Sequence, residues 1–275
     1  MAALLAIGSS ILWGSADFVG GLVSRTRNAY AVVAGSQAFG LLVIGIVAVV
    51  TGDWRASLGY LPWAVAAGLS GALGLVAYYA GLSSGTMGVV APIASMGAVV
   101  PVALAIAGGE KPSWLQLVGI AVALLGVAAA SGPELSGGTG RRPVMLACIA
   151  GLAFGFALFF IGHGSAHDEV MTLVGMRAAT VGLFLVTALA LRTLGGLQRR
   201  DAGPLAVVGV GDVVANLMFA VASTRGLLSV ASALTSFYPV VTTLLARWVL
   251  HERLRAVQGL GVVLAVGGVA LITVG

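Results

Sequence analysis

Polar residues in this chain come in short breaks. Between them lie runs of about 20 apolar residues, enough at 1.5 Å rise per residue to cross a hydrocarbon core of about 30 Å. The pattern predicts ten helical spans, at 2 to 22, 30 to 51, 61 to 82, 86 to 107 and 113 to 131, then 144 to 162, 170 to 192, 204 to 224, 227 to 249 and 256 to 274. Between the two sets stands S-G-P-E-L-S-G-G-T-G-R-R-P, Ser131 to Pro143, with the composition of a flexible surface connection. The expected organisation is a first unit over 1–131, a linker over 132–143 and a second unit over 144–275. Pro62, Pro112, Pro143 and Pro204 fall at expected helix starts, where a missing N–H has no intrahelical partner to lose. Pro92, Pro101 and Pro239 fall inside the fourth and ninth spans, which they should bend or break.

The two units repeat. A shift of 142 places Glu110 on Glu252, Lys111 on Arg253, Gln116 on Gln258, Gly119 on Gly261 and Gly126 on Gly268. A shift of 141 places Trp13-Gly14 on Phe154-Gly155 and Ser24 on Ser165, and a shift of 140 sets Gly35-Ser36-Gln37-Ala38 on Gly175-Met176-Arg177-Ala178. Five spans is an odd number, so the second unit enters the membrane facing the opposite way. Inverted repeats of this kind are the architecture of secondary transporters with a site near the midplane between the units.

Composition agrees with lipid as the solvent: 59% of residues are hydrophobic and 8% charged, against roughly 25% charged in a soluble domain. The net charge of +5 comes from arginines spread one to three at a time over the breaks, the pattern of loops facing anionic lipid and not of a nucleic-acid surface. Of the 41 glycines, many form small-xxx-small pairs, among them Gly81 with Gly85, Gly151 with Gly155, Ala16 with Gly20 and Gly119 with Ala123, which predicts a close-packed bundle. Cys148 stands alone in an apolar run, so no intrachain disulfide is possible, and its expected role is that of a small core residue. Met1 leads into an apolar run with no basic stretch before it, so the first run reads as a retained span.

The opening L-W-G-S-A-D-F, the hairpin G-E-K-P-S-W-L-Q-L-V-G-I-A-V-A-L-L-G-V and its partner around P-V-V-T-T-L-L-A-R-W-V-L-H-E-R-L-R-A-V-Q-G-L-G resemble the two EamA-type repeats of the drug/metabolite transporter superfamily. The most specific element, a proline followed thirteen residues later by Glu and nine further on by Gly, is complete as Pro239, Glu252 and Gly261. In the first unit Gly97 stands at the proline's position and Pro101 lies one turn later. The resemblance implies an all-α, ten-span permease, usually an exporter of small metabolites, amino acids or drugs, with no bound cofactor.

A charge placed mid-membrane costs several kcal/mol and normally faces a cavity or the bundle interior, so the chemistry must lie with the few polar groups inside spans. These are Asp17, Gln37, its repeat mate Arg177, and Asp212 with Asn216 at i, i+4 spacing. The bland reading is that one acid merely pairs with Arg177 as an internal staple. Trp13 and Tyr78 are the aromatic residues most favoured as pocket-lining, with Tyr79, Phe156 and Tyr238 as further candidates. Glu110 and Glu252 each precede a base and read as helix-end carboxylates that cap the next helix or pair with that base. Asp17, whose mate is the apolar Leu158, is the expected proton-coupling residue if coupling exists, because an acid in a mid-membrane cavity can release a proton on one side and take it up on the other. Asp212 is its competitor.

Enzyme signals are poor. His163 and His167 have metal-pair spacing but stand where the helix is expected to end, and Gly209-Val210-Gly211 meets Val214 where a dinucleotide loop would need its third glycine. No metal, cofactor or catalytic residue is expected. The expected function is secondary transport of small polar metabolites such as amino acids by alternating access in the cell (inner or plasma) membrane. The alternatives are multidrug or cation efflux, and a non-transport intramembrane enzyme or scaffold. Expected partners are a small-molecule substrate, the bilayer and, with coupling, protons; the chain is expected to act as a monomer. Arg55, Lys111 and Arg225 lie on the side of the termini. Arg25, Arg27, Arg141, Arg142, Arg192, Arg199, Arg200, Arg253 and Arg255 lie opposite, so the arginine count favours termini outside while the resemblance favours termini in the cytoplasm.

Overall fold

The structure is a computed structural model that describes residues 1–85, 87–130, 141–192, 196–250 and 256–274. Among them the regular elements are all helical. In chain order these are α1 (Ala2–Ser24), α2 (Ala29–Thr51), α3 (Leu61–Ser84), α4 (Met87–Ser95), α5 (Val99–Ala107) and α6 (Trp114–Ala130), then α7 (Arg141–Ser165), α8 (Glu169–Leu191), α9 (Ala202–Thr224), α10 (Leu228–Thr235), α11 (Tyr238–Leu250) and α12 (Ala256–Val274). Six of the described helical stretches are long and apolar enough to cross a membrane, and they carry α1, α2, α3, α7, α8 and α9; shorter apolar helices accompany them.

Local chemistry sets the ends. Asn28 caps α2 by accepting from the Tyr30 N–H at 2.9 Å, and Asp168, at the matching place in the second half, caps α8 by accepting from the Met171 N–H at 2.7 Å. Gly52 closes α2 in the left-handed conformation at φ 84°. Helix α7 starts at Arg141, so Arg141 to Pro143 form its first turn instead of ending the linker; residues 131–140 lie outside the described residues, as do Glu252, Arg253 and Arg255.

The fourth and ninth expected spans are both interrupted. A 3-10 turn, Met96–Ala98, separates α4 from α5, and residues 236–237 separate α10 from α11. Pro101 and Pro239 stand in the first turns of α5 and α11, where their missing N–H groups cost no helical bond. Pro92, in contrast, lies inside α4, and the helix runs through it.

The repeat seen in the sequence is also a repeat of contacts. A Cβ on Gly155 of α7 would run into the Gly97 carbonyl and Val100; one on Gly14 of α1, its mate, would run into the Tyr238 carbonyl and Val241, the mates of those two residues. Likewise Gly68 lies against the Met176 carbonyl, and Gly209 against the Ser36 carbonyl. Each half therefore packs on the other through equivalent backbone approaches that only glycine permits, and α6 packs on α12 through Gly119, Ala123 and Gly268. Outward faces are apolar, as at Leu42, Ile46 and Val49 on α2 and Leu185, Val186 and Leu189 on α8, the surface that lipid covers. Cys148 is exposed beside Met145 and Leu152 on the outside of α7, not in the core: a small apolar thiol has no reason to avoid lipid.

Candidate functional site

The long helices and the two interruptions surround a cavity between the halves. It admits the centres of water-sized spheres over about 100 Å³, where one water needs about 10–15 Å³, so it has room for a small organic molecule. Trp13, Asp17, Gln37, Arg177, Asp212 and Asn216 all line it, although they come from four different helices, α1, α2, α8 and α9.

Each sits near the middle of its helix, and pseudo-symmetry explains how they meet. Gln37 is the ninth residue of α2 and Arg177 the ninth of α8, and the Arg177 Nη1 donates to Gln37 Oε1. Arg177, only 3% exposed, also places Nη2 2.9 Å from Asp212 Oδ2. The same oxygen accepts from Gln37 Nε2 at 3.0 Å, while Oδ1 accepts from Trp13 Nε1 at 2.7 Å and Asn216 Nδ2 at 2.8 Å. Asn216 Nδ2 further reaches the Asp212 carbonyl, one turn back, at 2.7 Å. Three side-chain hydrogen bonds and one ion pair thus surround the Asp212 carboxylate, and together they offset the cost of burying its charge.

Asp17 differs. Its residue is 8% exposed and faces the cavity, yet among the described residues its carboxylate makes no hydrogen bond or ion pair. It lies close enough to interact electrostatically with Asp212 and with the hydroxyls of Tyr78, Tyr79 and Tyr238. The Tyr78 and Tyr238 hydroxyls have no hydrogen-bond partner among the described residues.

Tyr78 does not line the cavity. At 0% exposed it stands behind the wall, in edge contact with Phe154 at 5.6 Å and Tyr238 at 6.3 Å between ring centroids, and it orients these two rings, which do line it. Phe156 points outward and is exposed. Phe154, Ser95, Thr180 and Ser236 are lining residues that sequence reasoning did not single out as site residues. The repeat could have found one of them, since Phe154 is the mate of Trp13; Ser95 and Ser236 are mates of each other.

Applied around the cavity, the repeat reveals two unlike walls. Trp13, Asp17, Asp212 and Asn216 have as mates Phe154, Leu158, Gly71 and Leu75, and all eight line the cavity. One wall is polar and the opposite one apolar at equivalent positions.

Away from the cavity, Glu110 caps a helix of the other half instead of the helix that follows it. Its carboxylate accepts from the N–H groups of Leu228 and Ser229 at 2.8 and 3.1 Å and from Ser229 Oγ at 2.7 Å, at the start of α10. His163 packs between Trp63 and Phe159, while His167 lies against Gly59.

A family model described as the EamA-like transporter family matches residues 1–132 and 141–274. A solved crystal structure is similar over 99% of this chain and 96% of its own, with a TM-score of 0.79 at 17% sequence identity, a likeness of fold. A comparison with curated proteins found no match.

Proposed function

Because the chain belongs to the EamA-like transporter family, a family of multi-pass membrane proteins, we propose that it is a secondary transporter of a small polar organic molecule. Ten crossings in two inverted five-span units rock about the central cavity by alternating access. The observation that carries this reading is the cavity itself, lined at equivalent positions by both halves and holding the buried charged residues Asp17, Arg177 and Asp212. Glycine-mediated approaches between the halves let backbones slide with little side-chain rearrangement. Residence in the inner or plasma membrane and action as a monomer belong to the same reading. So does an orientation with both termini outside, which follows from the arginines at the opposite end; a C-terminal reporter active only in the cytoplasm should then stay silent.

Counterflow tests the function. Proteoliposomes preloaded with an unlabelled amine or amino acid should accumulate the labelled compound transiently, and the variant Arg177→Gln should not accumulate the amino acid. Absence of counterflow across both compound classes, from protein that is correctly inserted, would sink the transport reading.

A further inference from the structure

Transport by this cavity leaves open what it selects, and the charge arrangement bears on the choice between the amino acid expected from the sequence and the cation kept as its alternative. A zwitterion or an anion needs a cation to receive its carboxylate. Arg177 is the charged base lining the cavity, and its charge is already taken by Asp212 at 2.9 Å and its Nη1 by Gln37. Its Nε and Nη2 are buried with no hydrogen-bond partner among the described residues, Nη2 facing Asp212 as an ion pair and Nε lying against Gly40, where a Cβ would stand 3.5 Å from it and 2.9 Å from Val213. Asp212 is in turn held by Trp13, Gln37 and Asn216, so releasing Arg177 to a substrate would strand a buried carboxylate. Among the described residues that line the cavity, the acids Asp17 and Asp212 face one base, Arg177.

The uncompensated charge is that of Asp17. A carboxylate this buried, with no donor to hold it, is neutralised either by a proton or by a cation. Around it the cavity offers the rings of Trp13, Phe154 and Tyr238, whose faces attract a cation and repel an anion. The wall formed by Phe154, Leu158 and Leu75 offers the polar end of a ligand nothing and its apolar end a surface.

The geometry points to an organic ammonium as the substrate class, its charged nitrogen seated on Asp17 and its apolar body on the Phe154 and Leu158 wall, with no carboxylate required. This rests on the transporter reading and names the substrate of the same cavity. It selects the cationic alternative over the amino acid expected from the sequence. Discrimination should be substantial, because a ligand carboxylate would lie beside Asp17 while Arg177, the base lining the cavity among the described residues, is already paired with Asp212.

Three compounds with one ring and different charge test it on the purified full chain by isothermal titration: phenethylammonium, phenylalanine and 3-phenylpropionate. The wild type should bind phenethylammonium about tenfold or more tighter than either of the others, about 1.4 kcal/mol. Asp17→Asn should lose that preference and Asp17→Glu should keep most of it. Equal or tighter binding of phenylalanine or 3-phenylpropionate, binding of none of the three, or an unchanged amine affinity in Asp17→Asn would each overturn the assignment. Should Asp17→Asn fail to yield monodisperse protein, the ranking of the three compounds on the wild type decides alone. Counterflow of the same compounds separates this inference from its premise. Phenylalanine exchange without amine exchange leaves the transporter and removes the substrate class. Asp17-dependent amine binding without any exchange leaves the site and removes the transport reading.

Discussion

Gln37 and Arg177 occupy the same register in the two halves and touch each other, Arg177 donating from Nη1 to the Gln37 carbonyl oxygen. Two repeat mates can meet only where the pseudo-symmetry axis passes, so this pair marks the axis within the cavity. A fixed positive charge on one side of it alone breaks the symmetry, and Asp212 is the group that answers that charge.

The Arg177 and Asp212 pair should therefore behave as one unit in stability. Removing either charge leaves the other buried and alone, at a cost of about 3–5 kcal/mol, so Arg177→Gln and Asp212→Asn should each lower the unfolding midpoint in detergent. The double variant should recover much of that loss, as coupled neighbours do. A double variant no more stable than the worse single one would show that the two charges are not coupled.

Proton coupling, if present, should run through Asp17. In flux driven by a pH gradient, Asp17→Asn should lose the dependence on the gradient. Asp212→Asn should retain it where it remains folded, because Asp212 already has its cation while Asp17, among the described residues, makes no hydrogen bond or ion pair. Loss of pH dependence in Asp212→Asn alone would transfer the role, and a wild type indifferent to the gradient would end the idea.

Backbone approach at the two mated glycines predicts matched sensitivity. Gly14→Val and Gly155→Val push a side chain into the Tyr238 and Gly97 carbonyls, and overpacking of this kind costs about 1–3 kcal/mol or more. Gly182→Ala meets nothing within 4 Å and should be neutral or stabilise slightly. Thermal unfolding of the three variants in one detergent should show two large drops of similar size and one negligible change.

The Glu110 carboxylate ties the loop after α5 to the start of α10 in the other half. Glu110→Ala removes the acceptor for two backbone N–H groups and a hydroxyl, and loss of a cap costs about 0.5–2 kcal/mol. Glu110→Gln, which keeps an acceptor but not the charge that favours a helix N-terminus, should lose less. Equal losses in the two variants would mean that side-chain bulk, and not hydrogen bonding, is what matters there.

Lipid makes much of this protein readable from its residues in order. Because backbone groups in a membrane must bond within their own segment, apolar runs could be read as helices. The prolines near residues 101 and 239 could be read as interruptions, and a shift of about 140 residues could be recognised as one unit used twice. The same solvent makes mid-span charges rare and costly, so Asp17, Arg177 and Asp212 stand out as candidates in the sequence itself. Asn216, one turn from Asp212, is the local feature that favours Asp212 as the acid answering Arg177, but it does not fix the pairing, since both acids lie inside apolar helices. That choice depends on how α1, α8 and α9 are rotated and where they cross, and the crossings are set by glycine contacts between segments about 140 residues apart. Tertiary structure likewise placed Tyr78 behind the wall and Phe154 and Tyr238 on it, turned Cys148 to the outside, and sent Glu110 to α10 instead of its own neighbour. Periodicity tells which residues share a helix face, but only the partner helix decides whether that face meets lipid, protein or the cavity.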